Sequence, residues 1–402
     1  MRITVRRPVS LLGPAFIAAI AYVDPGNVAT NVTAGSQYGY LLVWVVVVAN
    51  FMAVLVQYLS AKLGLVTQAS LSTQLGNRLG KSARVSYWLQ AEITAIATDL
   101  AEVIGGAVAL QLLFDVPLLL GATLTAVVSI GVLIIGDLRG QRALERTIVA
   151  FLALIAVGFL AGMVVDPPNP GDVAGGLLPR FDDVESVLLA SGIVGATVMP
   201  HVVYLHSSLT TQRLGSRGQG RSVRQLLTAT RIDVVVALAV AGVLNLALLV
   251  VAANSLTGLP GTDTLPGVHR IIDSQLGAGV AVLFAVALLG SGLASTSVGC
   301  AAGAEVMQGL LNRRIPMLVR RAVTVLPALL ILALGVDASR ALVLSQVVLS
   351  AGIPFALIPL IWLTSRRSVM AGYANHPVTT AAAAVVATLV IALNVQLVIE
   401  LV

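Results

Sequence analysis

Charge is scarce in this chain of 402 residues. Asp, Glu, Lys and Arg make up only 10% of it, against 57% hydrophobic residues and a mean hydropathy of +0.96. So little charge cannot cover a soluble domain, and the composition implies an integral membrane protein. Aromatic residues are also few, at 4%, while Ala, Val, Leu and Gly dominate, which suits helices packed closely through small side chains. The long apolar runs lack the alternation of a porin-like barrel. Cys300 is the only cysteine, so no intramolecular disulfide can form, and it reads as a small buried apolar residue rather than a metal ligand. There is no Gly-rich phosphate loop with its lysine, hence no ATP motor, and no nucleophile with a base and an orienting acid, hence no enzyme. No polar stretch exceeds about 25 residues, too short for a separate soluble domain.

What the chain does have is eleven apolar runs, near 11–34, 39–63, 87–113, 117–136, 144–165, 186–209, 229–253, 275–311, 322–337, 340–364 and 378–400, most near the length of a bilayer crossing. The run at 275–311 exceeds one crossing, so its C-terminal part should project into water as far as Asn312. The first run carries Asp24 and is expected to remain as a working helix rather than be cleaved as a signal. Placing the N-terminus inside puts 21 of the 24 basic residues on the cytoplasmic side, in groups that include Arg2, Arg6, Arg7; Lys62, Arg78, Lys81, Arg84; Arg139, Arg142, Arg146; Arg213, Arg217, Arg221, Arg224, Arg231; Arg313, Arg314, Arg320, Arg321; and Arg366, Arg367. Only Arg180, Arg270 and Arg340 fall outside. This asymmetry predicts a cytoplasmic N-terminus and an external C-terminus, and the lack of long tails and loops suggests a minimal protein of the plasma membrane. The +6 net charge then orients the chain in lipid and calls for no nucleic acid. The acidic segment 166–185 lies outside in this scheme and reads as a solvated loop.

Asp24 stands in the middle of the first run and is followed by Pro25, Gly26 and Asn27. A carboxylate in hydrocarbon must face a cavity or a ligand. Pro25 and Gly26 break the helix there and free backbone carbonyls that need a polar partner or an ion. The sixth run is interrupted in the same way at Met199-Pro200-His201. Paired broken helices, each first in a set of five, predict an inverted-repeat transporter with its substrate near the midplane: one transmembrane domain over 1–402, repeats at about 11–165 and 186–364, and an extra helix at 378–400. Asp24 offers a hard oxygen, Asn27 a neutral one and Met199 a thioether that Ca²⁺ or Mg²⁺ would not choose, so the mixture favours a transition metal. The Ala196 carbonyl, at the end of a helix segment, could add an oxygen. Apolar packing is the alternative role for Met199.

Span three carries Glu92, Asp99 and Glu102 at separations that place them on one helix face. They could conduct protons inward or form a salt-bridge network with Arg320 and Arg321. His201 suits proton handling, and His206 either metal binding or proton transfer. Gln346 is an amide at membrane depth that could complete a metal shell or bond between helices. For Glu305 and Asp233, near the cytoplasmic span ends, salt bridging is the expectation. His269 and His376 fall in expected loops. Asn31-Val32-Thr33 matches a glycosylation acceptor but lies inside span one.

Asp24-Pro25-Gly26-Asn27 with Met199-Pro200-His201 closely resembles the signature pair of the Nramp family of proton-coupled divalent metal transporters. The likeness extends to Ala97-Thr98-Asp99-Leu100-Ala101-Glu102, Tyr204-Leu205-His206-Ser207, Arg320-Arg321 and Leu344-Ser345-Gln346-Val347. It implies an all-α, LeuT-like 5+5 inverted repeat with an eleventh helix, helices one and six unwound at the midplane. It implies import of Mn²⁺, and also Fe²⁺, Co²⁺ and Cd²⁺, with protons. Carried over by position, Asp24, Asn27, Met199, the Ala196 carbonyl and Gln346 form the metal shell, and His201, Glu102, Asp99, Arg321, Glu92 and Arg320 the proton route. Two positions depart from the family's common pattern: Val202 where Asn is frequent, and Leu293 where Gln is frequent. Beyond the transported ions no bound cofactor is expected, nor an obligatory protein partner. The alternatives are a sodium-coupled amino-acid transporter of the same fold, a Mg²⁺-selective relative, and a metal-sensing or channel-like protein.

Overall fold

The computed structural model describes residues 13–139, 150, 153–154, 156–158, 160–217, 222–313 and 315–401. Arg2, Arg6, Arg7, Arg142, Arg146, Arg221 and Arg314, the start of the first apolar run and much of the fifth lie outside the described residues, as do the side chains of Arg139, Arg213 and Arg217.

Among the described residues the chain is helical throughout. The elements are α1 (Pro14–Ala21), α2 (Pro25–Tyr38), α3 (Val43–Thr67), α4 (Leu71–Gly76), α5 (Lys81–Phe114), α6 (Leu118–Arg139) and α7 (Ala156–Val165). There follow α8 (Pro170–Gly175), α9 (Val184–Thr197), α10 (Pro200–Arg217), α11 (Val223–Ser255), α12 (Leu265–Leu276), α13 (Ala278–Leu311), α14 (Met317–Ala333), α15 (Ala338–Ser365), α16 (Arg367–Met370) and α17 (Pro377–Leu401).

Seven stretches among the described residues are long and apolar enough to cross a membrane: Pro25–Thr67, Lys81–Phe114, Val184–Thr211, Val223–Ser255, Ala278–Leu311, Ala338–Ser365 and Pro377–Glu400. Leu118–Gly131 and Ala156–Val165 are shorter apolar helices. The expected runs map onto these elements with shifted ends. The ninth was expected at 322–337, but its helix is Met317–Ala333, because Gly335 takes φ +74° and ends the helical path. The eighth is 34 residues long, roughly 50 Å at the helical rise, well beyond one hydrocarbon core. His269 lies on α12 rather than in a loop.

The core is built by α5 against α13, α2 against α11, and α9 against α15. Glycine permits α15 to approach both α9 and α2. A Cβ on Gly26 of α2 would overlap the Gln346 side chain, and one on Gly195 of α9 would overlap the Gln346 carbonyl. α15 therefore lies directly against both broken helices. At the other end of the first span, Asp233 of α11 accepts the backbone N–H groups of Gly13 (3.0 Å) and Ala15 (3.2 Å), capping α1. Glu305, expected in a salt bridge, instead accepts hydroxyls from Ser72 (3.0 Å) and Ser208 (2.7 Å), with no ion pair among the described residues.

Candidate metal site

Span one stops at Ala21 and resumes at Pro25, leaving Tyr22, Val23 and Asp24 between the two halves. Proline suits the first position of α2, since it has no N–H to leave unsatisfied and its φ is already helical. Asp24 caps α2: Oδ1 accepts the Asn27 N–H at 2.9 Å, and its charge faces the positive end of the helix. Span six stops at Thr197 and resumes at Pro200, with Val198 and Met199 unwound between them. Both breaks thus place a proline at the start of their second half.

One contact joins the two breaks and another ties α15 to the first. Asn27 Nδ2 donates to the Tyr22 carbonyl at 2.5 Å and lies 3.4 Å from the Ala196 carbonyl of span six. Gln346 Nε2 lies 3.4 Å from Asp24 Oδ2 and donates to Ser345 Oγ at 3.0 Å. Asp24, Asn27, Ala196, Met199 and Gln346 are all 0% exposed, and Gln346 Oε1 is buried without a partner among the described residues. The Asn27 Oδ1 accepts from Asn31 Nδ2 at 2.5 Å, while Asn31 Nδ2 also reaches the Asn27 carbonyl at 3.0 Å. The amide NH₂ of Asn27 therefore occupies a place between two carbonyls. Turning the Asn27 and Asn31 amides together would put Asn27 Oδ1 there, with Asn31 Oδ1, otherwise unpartnered among the described residues, accepting from Asn27 Nδ2.

Among the described residues no three His, Cys, Asp or Glu side chains gather as a metal-binding group. The site instead brings together one carboxylate, two amides and the Ala196 carbonyl, all fully buried, with Met199 three residues on in the unwound part of span six. A lone carboxylate with no basic side chain bonded to it is an arrangement that favours a cation.

The carbonyls freed in span one find their polar partners on other helices. Asn245 Nδ2 of α11 donates to the Tyr22 carbonyl at 3.0 Å, and Ser291 Oγ of α13 donates to the Val23 carbonyl at 2.5 Å. Both were missed in the sequence. The signal for Asn245 was a solitary amide in an apolar run; Ser291, between two glycines, gave none.

The acids of span three form a separate network. Arg321 is 0% exposed and bonds Asp99 Oδ1 at 2.6 Å and Glu102 Oε2 at 3.0 Å through Nη1, while its Nε donates to the Ser129 hydroxyl at 3.1 Å and its Nη2 to that of Thr296 at 3.2 Å. Arg320 pairs with Glu92 at 3.0 Å. Ser129 and Thr296 were also missed, since hydroxyls are common on membrane helices. His201 Nδ1 lies 3.3 Å from Thr98 Oγ1 on the same helix as these acids, and its Nε2 is unpartnered among the described residues. His206 is bonded elsewhere, its Nδ1 2.8 Å from Gln57 Oε1 of α3. At the opposite, acidic end of the bundle the Tyr38 phenol reaches Asp183 at 2.7 Å. That bond, with the Ser186 N–H, holds the Asp183 carboxyl below its ordinary range.

The family model described as Nramp, natural resistance-associated macrophage protein-like, matches residues 15–400. The "Divalent metal cation transporter MntH" of Mycobacterium tuberculosis (strain CDC 1551 / Oshkosh) is 58% identical over 388 residues, 96% of this chain and 91% of that one. A crystal structure of the Eremococcus coleocola manganese transporter, in complex with an aromatic bis-isothiourea substituted compound, superposes with a TM-score of 0.87 at 29% identity, over 99% of this chain and 90% of that one. The inward-facing conformation of Mhp1 matches at a TM-score of 0.55 and 18% identity, over 89% of this chain and 78% of that one, a likeness of fold alone. The all-α, LeuT-like membrane fold expected from the sequence holds, with spans one and six interrupted at matching places.

Proposed function

Since the chain belongs to the Nramp family, we propose that it imports divalent transition metal ions, Mn²⁺ first among them, together with protons by alternating access. The observation that carries this reading is the meeting of the two breaks. One carboxylate, two amides and the Ala196 carbonyl meet from spans one, six and ten, all fully buried, and Met199 follows Ala196 by three residues in the same break. The relatives named as divalent metal cation and manganese transporters support the cargo. Met199 supports a transition metal over Mg²⁺ or Ca²⁺.

In this mechanism the ion sheds water as Asp24 Oδ2, Asn27 Oδ1, the Ala196 carbonyl, Met199 sulfur and Gln346 Oε1 replace it. Protons pass along Asp99 and Glu102, whose shared Arg321 leaves Glu102 Oε1 without a partner among the described residues. His201 links the sixth-span break to the same helix through Thr98. The distribution of basic residues supports a cytoplasmic N-terminus, and the short loops support the plasma membrane as host bilayer. Family membership weighs against a sodium-coupled amino-acid carrier. The test is ⁵⁴Mn²⁺ uptake into proteoliposomes across an inward proton gradient. Asp24→Asn is expected to lower uptake at least about a hundredfold, since it removes the only anionic donor of the shell. Retained uptake would place the cargo elsewhere, and uptake indifferent to the gradient would remove the proton from the mechanism.

A further inference from the structure

A second ligand-shaped feature lies away from the metal site, at the end of the bundle that the charge distribution assigns to the cytoplasm. A cavity of about 460 Å³ opens between the start of α5, the end of α13 and the segment leading to α14. Lys81, Arg84 and Arg313 line it, and below them Val85, Leu310 and Ile315. No acidic residue lines the cavity, and none of the three cations has a salt-bridge partner among the described residues. Arg84 Nε is buried and unpartnered there.

The position of two of these cations is costly as it stands. α5 begins at Lys81 after Gly80, with no side chain capping its first turn and no acid within it. Lys81 and Arg84 therefore add positive charge to the positive pole of a helix of 34 residues, which the helix dipole disfavours. An anion seated there would meet three cations and the free N–H groups of the first turn. From the same place an exposed apolar strip runs along one face of α5 through Val85, Leu89 and Ile93, 43%, 53% and 51% exposed. Those residues are spaced one turn apart and need hydrocarbon beside them.

We propose that this cavity is a binding site for an anionic phospholipid of the inner leaflet, its phosphate held by Lys81, Arg84 and Arg313 and one acyl chain laid along Val85, Leu89 and Ile93. A soluble anion would use the cations and leave the strip unexplained; a zwitterionic lipid would use the strip and leave three charges unmatched. Basic clusters at this depth attract anionic leaflets at a gain of a factor of about five per charge. The bound lipid would tie α5 to the segment before α14, which carries Arg320 of the Glu92 pair. The leaflet assignment rests on the orientation proposed above, whereas the binding chemistry does not.

The test is native mass spectrometry of the delipidated full-length protein with added phosphatidylglycerol, phosphatidylcholine or inorganic phosphate. Wild type should hold phosphatidylglycerol, and the variant with Lys81→Gln, Arg84→Gln and Arg313→Gln should hold it roughly a hundredfold more weakly, with phosphatidylcholine unchanged. Arg270→Gln, an exposed cation outside the cavity, should bind as wild type does. Leu89→Ser should weaken the lipid and leave inorganic phosphate unaffected. Equal phosphatidylglycerol retention in wild type and triple variant overturns the site, and displacement by millimolar inorganic phosphate overturns the lipid as its occupant. Neither readout depends on transport, so failure here leaves the proposed import intact, and failure of import leaves this site intact.

Discussion

The breaks in spans one and six share a plan, each with a proline starting the second half, yet they are held in different ways. In span one the freed carbonyls are taken by side chains: Tyr22 by Asn245 of α11 and Asn27 of α2, Val23 by Ser291 of α13, while Asp24 caps α2. In span six the Ala196 carbonyl has only the distant Asn27 amide at 3.4 Å, and Thr197 Oγ1 is buried with no partner among the described residues. One break is a braced frame carrying the charge, and the other presents soft or weakly engaged donors. Under the proposed import, this division would give charge neutralisation to span one and selectivity to span six.

The sharpest way to break that division after the Asp24 exchange is Met199→Ala. If span six sets selectivity, Mn²⁺ uptake should persist at a reduced rate while its advantage over Ca²⁺ falls about tenfold or more, read by competition of Ca²⁺ against ⁵⁴Mn²⁺ uptake. An unchanged competition profile would mean that the oxygen donors alone discriminate.

Ser291→Ala probes the frame. It leaves the buried Val23 carbonyl without its donor, a loss of about 1–3 kcal/mol, and should lower the thermal midpoint of the purified protein while leaving metal preference as it was. A variant as stable as wild type would show that the brace of span one is not made by this bond.

How much of this was legible beforehand follows the same division. The breaks were readable because Pro, Gly and acid in an apolar run violate the usual membrane pattern at a few adjacent positions, and Asp24, Asn27 and Gln346 stood out as polar groups in hydrocarbon. The pairing of Arg321 with Asp99 and Glu102 was readable because buried charges need opposite charges. The braces were not: Ser291, Ser129 and Thr296 are hydroxyls of a kind that usually bond to their own helix one turn back, as Thr296 also does to the Gly292 carbonyl. Only the packing of α13 against the first break, and of α6 and α13 against α14, gives them a distant partner. Helix ends were displaced for a similar reason, since basic residues such as Lys81 continue a helix past the apolar run that announces it.

The smallest expected effect separates the two breaks by sign. Thr197 spends a hydroxyl in a buried place where no described residue bonds it, so the folded state carries its desolvation without return. Valine matches its shape and removes that burden. Thr197→Val should therefore raise stability, by up to about 1 kcal/mol, where Ser291→Ala lowers it, both read as thermal midpoints in the same detergent. If the hydroxyl serves the hydrated cargo as it enters span six, the same variant should need a severalfold higher Mn²⁺ concentration for half-maximal uptake despite its greater stability. A destabilised Thr197→Val would show instead that span six is braced as firmly as span one, and the contrast between frame and donor would be lost.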